Sequence, residues 1–246
     1  MNKLKKYFIS FGAGNQDYYD AVKRITNQAS SLDIFDEVIG YTDNDLKNDK
    51  YFWNKHSEFI LANKRGFGYW LWKPYFIMKK LEQMNDNDIL VYADSGCEIP
   101  NNNKEKYRQR WENKFKLVQS DLIIDTLACN GICLEKEWTK MDLILYLNMN
   151  NPLYLNTAQH QGSALIILKC KKIVDLVKEW YNTACNYHLL DDTQSIAKNL
   201  PCFKEHRHDQ SIYSLLVKKY NLHNNYILKD VIWIARNRTG KSKLEY

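Results

Sequence analysis

The fold of this chain depends on two stretches of sequence. They are Arg65-Gly66-Phe67-Gly68-Tyr69-Trp70-Leu71-Trp72-Lys73-Pro74 (residues 65–74) and Asp88-Ile89-Leu90-Val91-Tyr92-Ala93-Asp94-Ser95-Gly96-Cys97-Glu98 (residues 88–98). Pro74 suits the first position of a helix, and the apolar residues after it recur at helical spacing, which predicts a helix of about ten residues. Residues 89–93 are apolar without alternation, as is typical of a strand covered on both faces. The strand stops at Asp94. Because ligands of open α/β sheets lie at the carboxyl ends of strands, Asp94 is the expected ligand-facing carboxylate.

A strand, a helix and a second strand open the chain, at residues 7–11, 16–30 and 37–41. Gly12-Ala13-Gly14 follows the first strand but lacks the third glycine of a dinucleotide fingerprint, because Asp17 occupies its place. A glycine turn that reverses the chain or passes near a nucleotide is the better interpretation. We therefore expect Phe11 and Gly12 to border a ligand.

The remaining pattern predicts one α/β domain with a mostly parallel central sheet and helices on both faces. Further strands are predicted over residues 121–124 and 164–168, and further helices over residues 106–116, 135–147 and 171–187 and from residue 211. The chain shows no internal repeat and no linker. We assign residues 1–246 to a single domain, with a nucleotide-binding half over about 1–100 and an acceptor-binding half over about 101–235. Residues 236–246 are predicted to form a basic, poorly ordered tail.

Composition narrows the class of protein. Of the 246 residues, 45% are hydrophobic, and the formal net charge of +6 arises from interspersed charges, which indicates nucleic-acid binding only weakly. No stretch approaches the roughly twenty apolar residues of a membrane helix, and the basic N-terminus lacks a credible cleavage site, so we predict a cytoplasmic protein. Six spread cysteines indicate reduced, mostly buried thiols. Cys129 and Cys133 lack a second close pair, so a zinc knuckle is not expected.

Asp94, Gly96 and Glu98 stand at i, i+2 and i+4, so in an extended segment they point to one side of the chain. Two carboxylates on one side could hold Mg²⁺ or Mn²⁺, which take oxygen ligands and keep positions open for substrate phosphates. The alternative is that Asp94 caps a turn and Glu98 lies on the surface, and the spacing does not choose between them.

Lys73 is the natural partner of a phosphate, because a flexible ammonium group reaches a diphosphate as a point charge. Its alternative is a solvated lysine. Gly66 and Gly68 indicate turns with positive φ or close backbone approach. The aromatic residues around them are expected in the core and at its rim.

Residues 205–210, Glu205-His206-Arg207-His208-Asp209-Gln210, place five ionisable groups before a helix. Asp209 is well placed as a helix N-cap. The functional interpretation, which we favour, is that His206 or His208 completes a metal site or contacts phosphate. Gln161, directly before a buried strand, is a candidate hydrogen-bonding group for a ligand.

The order of the strand at 7–11, the segment at 66–74, Val91-Tyr92-Ala93-Asp94-Ser95-Gly96 and a late His208-Asp209-Gln210 resembles GT-A-type glycosyltransferases of small polysaccharide- or glycan-building families. The resemblance covers about residues 7–233. It implies a GT-A, Rossmann-like fold, in which an Asp-x-Asp at a strand end binds a divalent cation and the donor diphosphate. Asp94 matches the first aspartate, and Gly96 replaces the second. Glu98, His206 or His208 then has to supply the missing ligand.

The resemblance implies an enzyme that moves a hexosyl or deoxyhexosyl group from a nucleotide-diphosphate sugar to a glycan, lipid-linked or protein acceptor, with Mn²⁺ or Mg²⁺. Each candidate residue takes a role in that reaction: Phe11, Gly12, Lys73 and Asp94 at the nucleotide and diphosphate; Gly96, Gln161 and Gln210 at the sugar and acceptor; Asp94, Glu98, His206 and His208 at the metal; and Asp209 at the reacting centre. If the reaction inverts, Asp209 is the base that deprotonates the acceptor. If it retains, Asp209 orients the donor.

Two other functions remain open from the sequence. A catalytically inactive nucleotide- or sugar-binding protein on the same fold would keep the pocket and lose the metal, as the replacement at Gly96 permits. A nucleic-acid-binding role rests only on the net charge and the basic C-terminus, and we do not expect it. No transmembrane segment is expected, although a lipid-linked acceptor would bring the protein to a membrane face.

Overall fold

One five-stranded sheet organises residues 4–224 and 228–244, the part of the chain that this computed structural model describes. The strands are β1 (Lys6–Gly12), β2 (Glu37–Thr42), β3 (Ile89–Ala93), β4 (Ile123–Leu127) and β5 (His160–Leu168). Their order in the sheet is β2-β1-β3-β5-β4. β1 pairs in parallel with β2 and β3, whereas β5 runs antiparallel to both β3 and β4.

The helices in the described ranges are α1 (Gln16–Ser31), α2 (Asp43–Asn48), α3 (Lys50–Ala62), α4 (Gly66–Tyr69), α5 (Trp72–Gln83), α6 (Lys104–Asp121), α7 (Glu135–Trp138), α8 (Met141–Tyr146), α9 (Pro152–Leu155), α10 (Lys171–Ala184), α11 (Tyr187–Leu190) and α12 (Asp209–Lys219), with a 3₁₀ turn at Ala128–Gly131. None of these helices is both long enough and apolar enough to cross a membrane.

The predicted opening unit and the strand before Asp94 are confirmed. β1 and β2 match the predicted strands to within one residue at each end, and β3 matches residues 89–93. α1 begins at Gln16 because the side chain of Asn15 accepts a hydrogen bond from the backbone N–H of Tyr18. The α/β class and the helices on both faces of the sheet follow from these elements.

The apolar core lies on both faces of the sheet. One cluster joins β1, β3 and β5 to α3, α5, α8, α10 and α12, and includes Ile9, Tyr92 and Ile167. The other packs α1 and α6 against the opposite face and includes Val91 and Ile166. Successive residues of a strand therefore pack into opposite clusters. For this reason β3 and β5 do not alternate between apolar and polar residues.

The prediction of a mostly parallel sheet needs a correction at β5. Residues 164–168 lie in β5 as predicted, but the strand already begins at His160 and runs against its neighbours, so two of the four strand pairs are antiparallel. An unbroken apolar run indicates that a strand is covered on both faces, but it does not indicate whether the strand is parallel or antiparallel to its neighbours. The reversal brings the start of β5 to the end of β3.

The predicted helix over residues 135–147 is two short helices, α7 and α8, with a break at Thr139 and Lys140. Lys140 is buried, its backbone N–H donates to Nδ1 of His206, and its ammonium group donates to the carbonyl oxygens of Asp191 and Thr193. Asp191, Thr193 and His206 lie more than 50 residues further along the chain. The spacing of apolar residues within 135–147 therefore could not predict the break.

The expectation of reduced thiols is wrong for one pair, because Cys129 and Cys133 form a disulfide with their Cα atoms 5.6 Å apart. Cys129 and Asn130 adopt left-handed φ values of 52° and 55°, which tighten the chain between the two sulfurs. Cys97, Cys170, Cys185 and Cys202 are free thiols.

The prediction of a poorly ordered C-terminal tail is also wrong for its described part, residues 236–244. Asn237 is fully buried, and its backbone N–H donates to the carbonyl oxygen of Gly96 at 2.8 Å. Glu245 and Tyr246 lie outside the described residues.

Candidate functional site

A buried lysine between two carboxylates lies at the carboxyl end of β3. Nζ of Lys73 is 2.7 Å from Oδ2 of Asp209 and 3.4 Å from Oδ1 of Asp94. The side chains of Lys73 and Asp209 are 4% and 5% exposed, whereas that of Asp94 is 30% exposed. The group therefore presents one accessible carboxylate to solvent and keeps the other inside.

Three elements position these side chains. Asp94 follows the last residue of β3, and the hydroxyl of Tyr92, two residues earlier on the same face of the strand, donates to its Oδ1 at 2.5 Å. Lys73 lies in the first turn of α5, and Asp209 is the first residue of α12. The indole Nε1 of Trp180 donates to the backbone oxygen of Asp209 at 3.1 Å, which fixes the start of that helix.

Gly162 of β5 forms the floor under the ion pair. A Cβ atom at this position would lie 3.8 Å from Oδ2 of Asp209 and 3.9 Å from Nζ of Lys73. A Cβ would thus make ordinary van der Waals contact with both charged groups, which shows that the backbone of β5 passes close beside the ion pair. Because β5 is antiparallel to β3, its early residues lie at the same sheet edge as Asp94.

Burial and charge shift the pKa values of this group. Burial, and then the nearby Asp94 carboxylate, raises the pKa of Asp209 to about 6, although Lys73 opposes the shift. Burial alone would lower the pKa of Lys73, but the carboxylates of Asp209 and Asp94 outweigh it, so the lysine pKa is raised. At neutral pH Lys73 carries its proton and Asp209 is mostly ionised.

The structure does not bring the four predicted metal ligands together. Across residues 4–224 and 228–244, no group of three or more His, Cys, Asp or Glu side chains could hold a metal ion. The backbone N–H of Cys97 donates to the carbonyl oxygen of Asp94, so residues 94–97 form a turn. The extended spacing that would place Glu98 beside Asp94 is therefore absent.

His206 and His208 have structural partners instead. His206 accepts at Nδ1 from the backbone N–H of Lys140 and donates from Nε2 to the carbonyl oxygen of Leu189. His208 donates from Nδ1 to the carbonyl oxygen of Leu190. Burial lowers the pKa of both rings, so both are neutral at pH 7.

The four predicted ligands do not form one cation site in the described part of the chain. Asp94 is the one exposed carboxylate of the predicted set, and a lysine ammonium already lies 3.4 Å from its Oδ1. Mg²⁺ is usually bound through one or two carboxylates together with substrate phosphates, and Asp94 is the one accessible carboxylate that this set could contribute. Asp94, Glu98, His206 and His208 are therefore not brought together, and Asp94 is instead linked through Lys73 to Asp209.

The other predicted ligand residues divide between the core and the site edge. The ring of Phe11 stacks on Trp72 at 3.9 Å and belongs to the core. A Cβ at Gly12 would lie 2.3 Å from the backbone oxygen of Tyr18, so this glycine serves the packing of α1.

Gln210 donates to Oε1 of Gln159 at 2.8 Å, and Gln161 is half-buried near the start of β5. Gly96 lies against the C-terminal segment.

A cavity of about 200 Å³ opens beside the segment that leads into α12. Its wall includes Lys140, Asp192, Asn199, Phe203 and Glu205. Oδ1 of Asp192 lies 3.6 Å from Nε2 of His208, the residue directly before Asp209. The cavity thus lies next to His208, and its lining includes three carboxylates, the amides of Gln194 and Asn199 and the ring of Phe203.

Sequence reasoning missed several residues that shape the site. Tyr92 could have been predicted, because side chains two residues apart in a strand lie on the same face, and Tyr92 stands two residues before Asp94. Gly162 and Trp180 gave no local signal, because their roles depend on the reversal of β5 and on the packing of α10. Tyr69 and Trp70, expected in the core and rim, lie with ring centroids 4.8 and 5.6 Å from that of His208.

No protein-family model matches the chain, and no curated protein matches it. Among solved structures it is similar to the apo form of mouse xyloside xylosyltransferase 1, with a TM-score of 0.46 and 8% sequence identity over 92% of this chain and 86% of that one. A likeness at this level assigns no activity to the chain.

Proposed function

We propose that this chain is a glycosyltransferase of GT-A type that moves a sugar from a nucleotide-diphosphate donor to an acceptor hydroxyl. The observation that carries the proposal is the Asp94–Lys73–Asp209 group at the carboxyl end of β3, next to β1 in the parallel half of the sheet. Ligands of such sheets bind at this edge. The resemblance in the order of sequence motifs supports the same class.

Asp209 has the properties of a general base in this proposal. A carboxyl group with a pKa of about 6 is ionised at neutral pH and is a stronger proton acceptor than an ordinary aspartate. In an inverting reaction Asp209 would take the proton of the acceptor hydroxyl while that oxygen bonds to the anomeric carbon and the bond from this carbon to the nucleoside diphosphate breaks on the opposite face. Lys73 holds Asp209 in place, and Asp94 faces the donor with its exposed oxygen.

The cavity of about 200 Å³ is our candidate for the acceptor. It is smaller than the roughly 300–1,000 Å³ of sites for drug-sized ligands, so it suits a single sugar unit. Carboxylate and amide oxygens, together with the ring of Phe203, offer hydrogen bonds and an apolar face to such a ring. A glycan acceptor is therefore favoured over a lipid or protein surface.

The test is a panel of UDP-, GDP- and dTDP-sugars incubated with the protein, with release of nucleoside diphosphate as the readout. Asp94→Asn and Asp209→Asn are expected to reduce release at least a hundredfold. The matched control is Asp86→Asn, in the loop before β3 at its opposite end, where the side chain is 78% exposed. Unchanged release in Asp94→Asn would contradict the proposal.

A catalytically inactive binding protein is the second candidate, favoured by one observation. Lys73 already pairs with both carboxylates, which leaves them partly neutralised. The same panel separates the two functions. Donor-dependent thermal stabilisation without release, in the presence of candidate glycan acceptors, would establish binding alone.

A further inference from the structure

The C-terminal segment, residues 233–243, lies across the end of β3 as a strap. Trp233 and Glu98 exchange two backbone hydrogen bonds of 2.8 Å, and the backbone N–H of Asn237 donates to the carbonyl oxygen of Gly96. The strap thus follows the turn at residues 94–97, directly beside Asp94.

Glu98 anchors the strap and is not available to a ligand. Its carboxylate accepts from Nδ2 of Asn237 at 2.7 Å, from the backbone N–H of Lys243 at 2.8 Å and from the hydroxyl of Ser242 at 2.5 Å. Burial alone would raise the pKa of Glu98, but these hydrogen bonds outweigh it and lower the pKa. The residue that the spacing offered as a metal ligand therefore holds the strap in its ionised form.

Arg24 of α1 fastens the strap from beneath. Its buried guanidinium donates to the carbonyl oxygens of Ser95 and Cys97 at 2.7 and 2.9 Å, and to that of Asn237 at 3.2 Å. It also donates to the carbonyl oxygen of Thr239. The guanidinium of Arg24 is therefore buried and hydrogen-bonded to backbone oxygens, so it is not accessible to a ligand.

Gly96 occupies the position where an Asp-x-Asp pair would have its second carboxylate. A Cβ there would lie 3.5 Å from Cα of Arg236 and 3.6 Å from the backbone nitrogen of Asn237. A methyl group fits at these distances. The longer side chain of an aspartate would be directed into the strap backbone.

Two arginines of the strap, Arg236 and Arg238, are exposed. Within the described part of the chain, neither Arg236 nor Arg238 donates a hydrogen bond to a protein group. The guanidinium of Arg238 lies 5.8 Å from the ring centroid of Tyr18, whose backbone oxygen is in contact with Gly12 at the end of β1. The backbone of Arg236 thus lies against the turn that follows β3, and the guanidinium of Arg238 lies near the start of α1, which follows the adjacent parallel strand β1.

We propose that Arg236 and Arg238 bind the diphosphate of the nucleotide donor, so that guanidinium groups on the strap replace the divalent cation of an Asp-x-Asp site. The planar guanidinium matches two phosphate oxygens at once, and it supplies positive charge without a second carboxylate. This inference rests on the proposed function, because it specifies how the same site holds its donor. It also explains why Gly96 stands where a ligand was expected, since the strap needs that space.

The test is isothermal titration of UDP, GDP and dTDP into the intact protein, once in EDTA and once in Mn²⁺. We expect one nucleotide to bind with dissociation constants that agree within twofold in the two conditions. Arg236→Ala and Arg238→Ala should each weaken binding about tenfold. The matched control is Lys241→Ala on the same strap, which removes one positive charge and should change binding less than twofold. Circular dichroism checks that these exposed substitutions leave the fold unchanged.

The outcomes separate this inference from the proposed function. Binding that needs Mn²⁺, or that survives in the double variant of both arginines, overturns the inference and leaves a metal-dependent glycosyltransferase intact. No binding of any nucleotide in either condition overturns the proposed function together with the inference. An equal loss in Lys241→Ala would show a diffuse charge effect and contradict the assigned roles.

Gly96→Asp gives an independent check. We expect it to displace the strap and to weaken nucleotide binding more than tenfold, with no recovery when Mn²⁺ is added, whereas Gly96→Ala should bind normally. Recovery of binding in Mn²⁺ would show that a carboxylate at position 96 faces the diphosphate, which would overturn the inference.

Discussion

The carboxyl group of Asp209 gives the clearest prediction at the scale of single residues. Its pKa is raised to about 6, and a base acts only in its ionised form, so kcat/KM should be constant at neutral pH and fall tenfold per pH unit below about 6. The measurement is the pH profile of kcat/KM between pH 4.5 and 8.5, with nucleotide affinity followed over the same range. A profile that is flat through pH 6, with a retained anomeric configuration, would mean that Asp209 orients the donor.

Lys73 should contribute strongly to stability, because it is the buried cation between two carboxylates. Replacing it by Met leaves the buried carboxylate of Asp209 without a cationic partner, which costs about 3–5 kcal/mol of unfolding free energy. The matched control is Lys79→Met on the same helix, where an ion pair with Asp49 at a half-exposed lysine should cost about 0–1 kcal/mol. Urea unfolding measures both.

A double variant distinguishes the loss of charge pairing from the loss of packing at Lys73. Lys73→Met combined with Asp209→Asn removes the isolated buried carboxylate, so it should recover at least about 1 kcal/mol of the loss. If the double variant is less stable than Lys73→Met alone, lost packing and not the unpaired charge accounts for the effect.

At the scale of elements, the short element α4, together with Trp70 after it, is a turn of left-handed conformation. All five of its residues, which include Phe67, Tyr69 and Trp70, have φ values between 52° and 82°. The two glycines predicted the positive φ values correctly at their own positions. The sequence could not show that three aromatic residues share this conformation, because its cost is offset by contacts made elsewhere, such as those with His208.

Gly68 and Gly14 form a matched pair for testing that turn. Both have positive φ, but a Cβ at Gly68 would lie 2.7 Å from Cγ1 of Ile60, whereas at Gly14 the nearest atom is 4.0 Å away. Gly14→Ala should therefore cost only the left-handed conformation, about 1–2 kcal/mol. Gly68→Ala should cost roughly 2–4 kcal/mol, because a steric clash is added. Equal losses by urea unfolding would contradict the packing described around Gly68.

What the sequence could predict depends on the range of the interactions. β1, α1 and β3 rest on local signals, such as the Asn15 cap and unbroken apolar runs, and they were predicted closely. Asp94, Lys73 and Asp209 were each predicted as site residues, but their direct pairing was not. Tertiary contacts decided the rest, namely the direction of β5, the break before α8 and the capture of Glu98 by residues 237–243.

At the scale of the whole molecule, the proposed single domain predicts one cooperative unfolding transition. Both core clusters include residues from both sides of position 100, and β1, β3 and β5 contribute to each cluster. Neither half of the chain therefore keeps its core if the other unfolds. We expect far-UV circular dichroism and tryptophan fluorescence to report the same urea midpoint.

Neighbouring residues of β5 provide the decisive variants, because Ile166 and Ile167 are fully buried in opposite clusters. Each substitution by Ala should cost about 2–5 kcal/mol and shift the single transition without splitting it. Two midpoints in Ile166→Ala, with the fluorescence and circular dichroism curves separated, would mean that the faces of the sheet unfold independently. Equal behaviour of the two variants would mean that both cores unfold as one cooperative unit, because the sheet that carries Asp94 at the end of β3 lies between them.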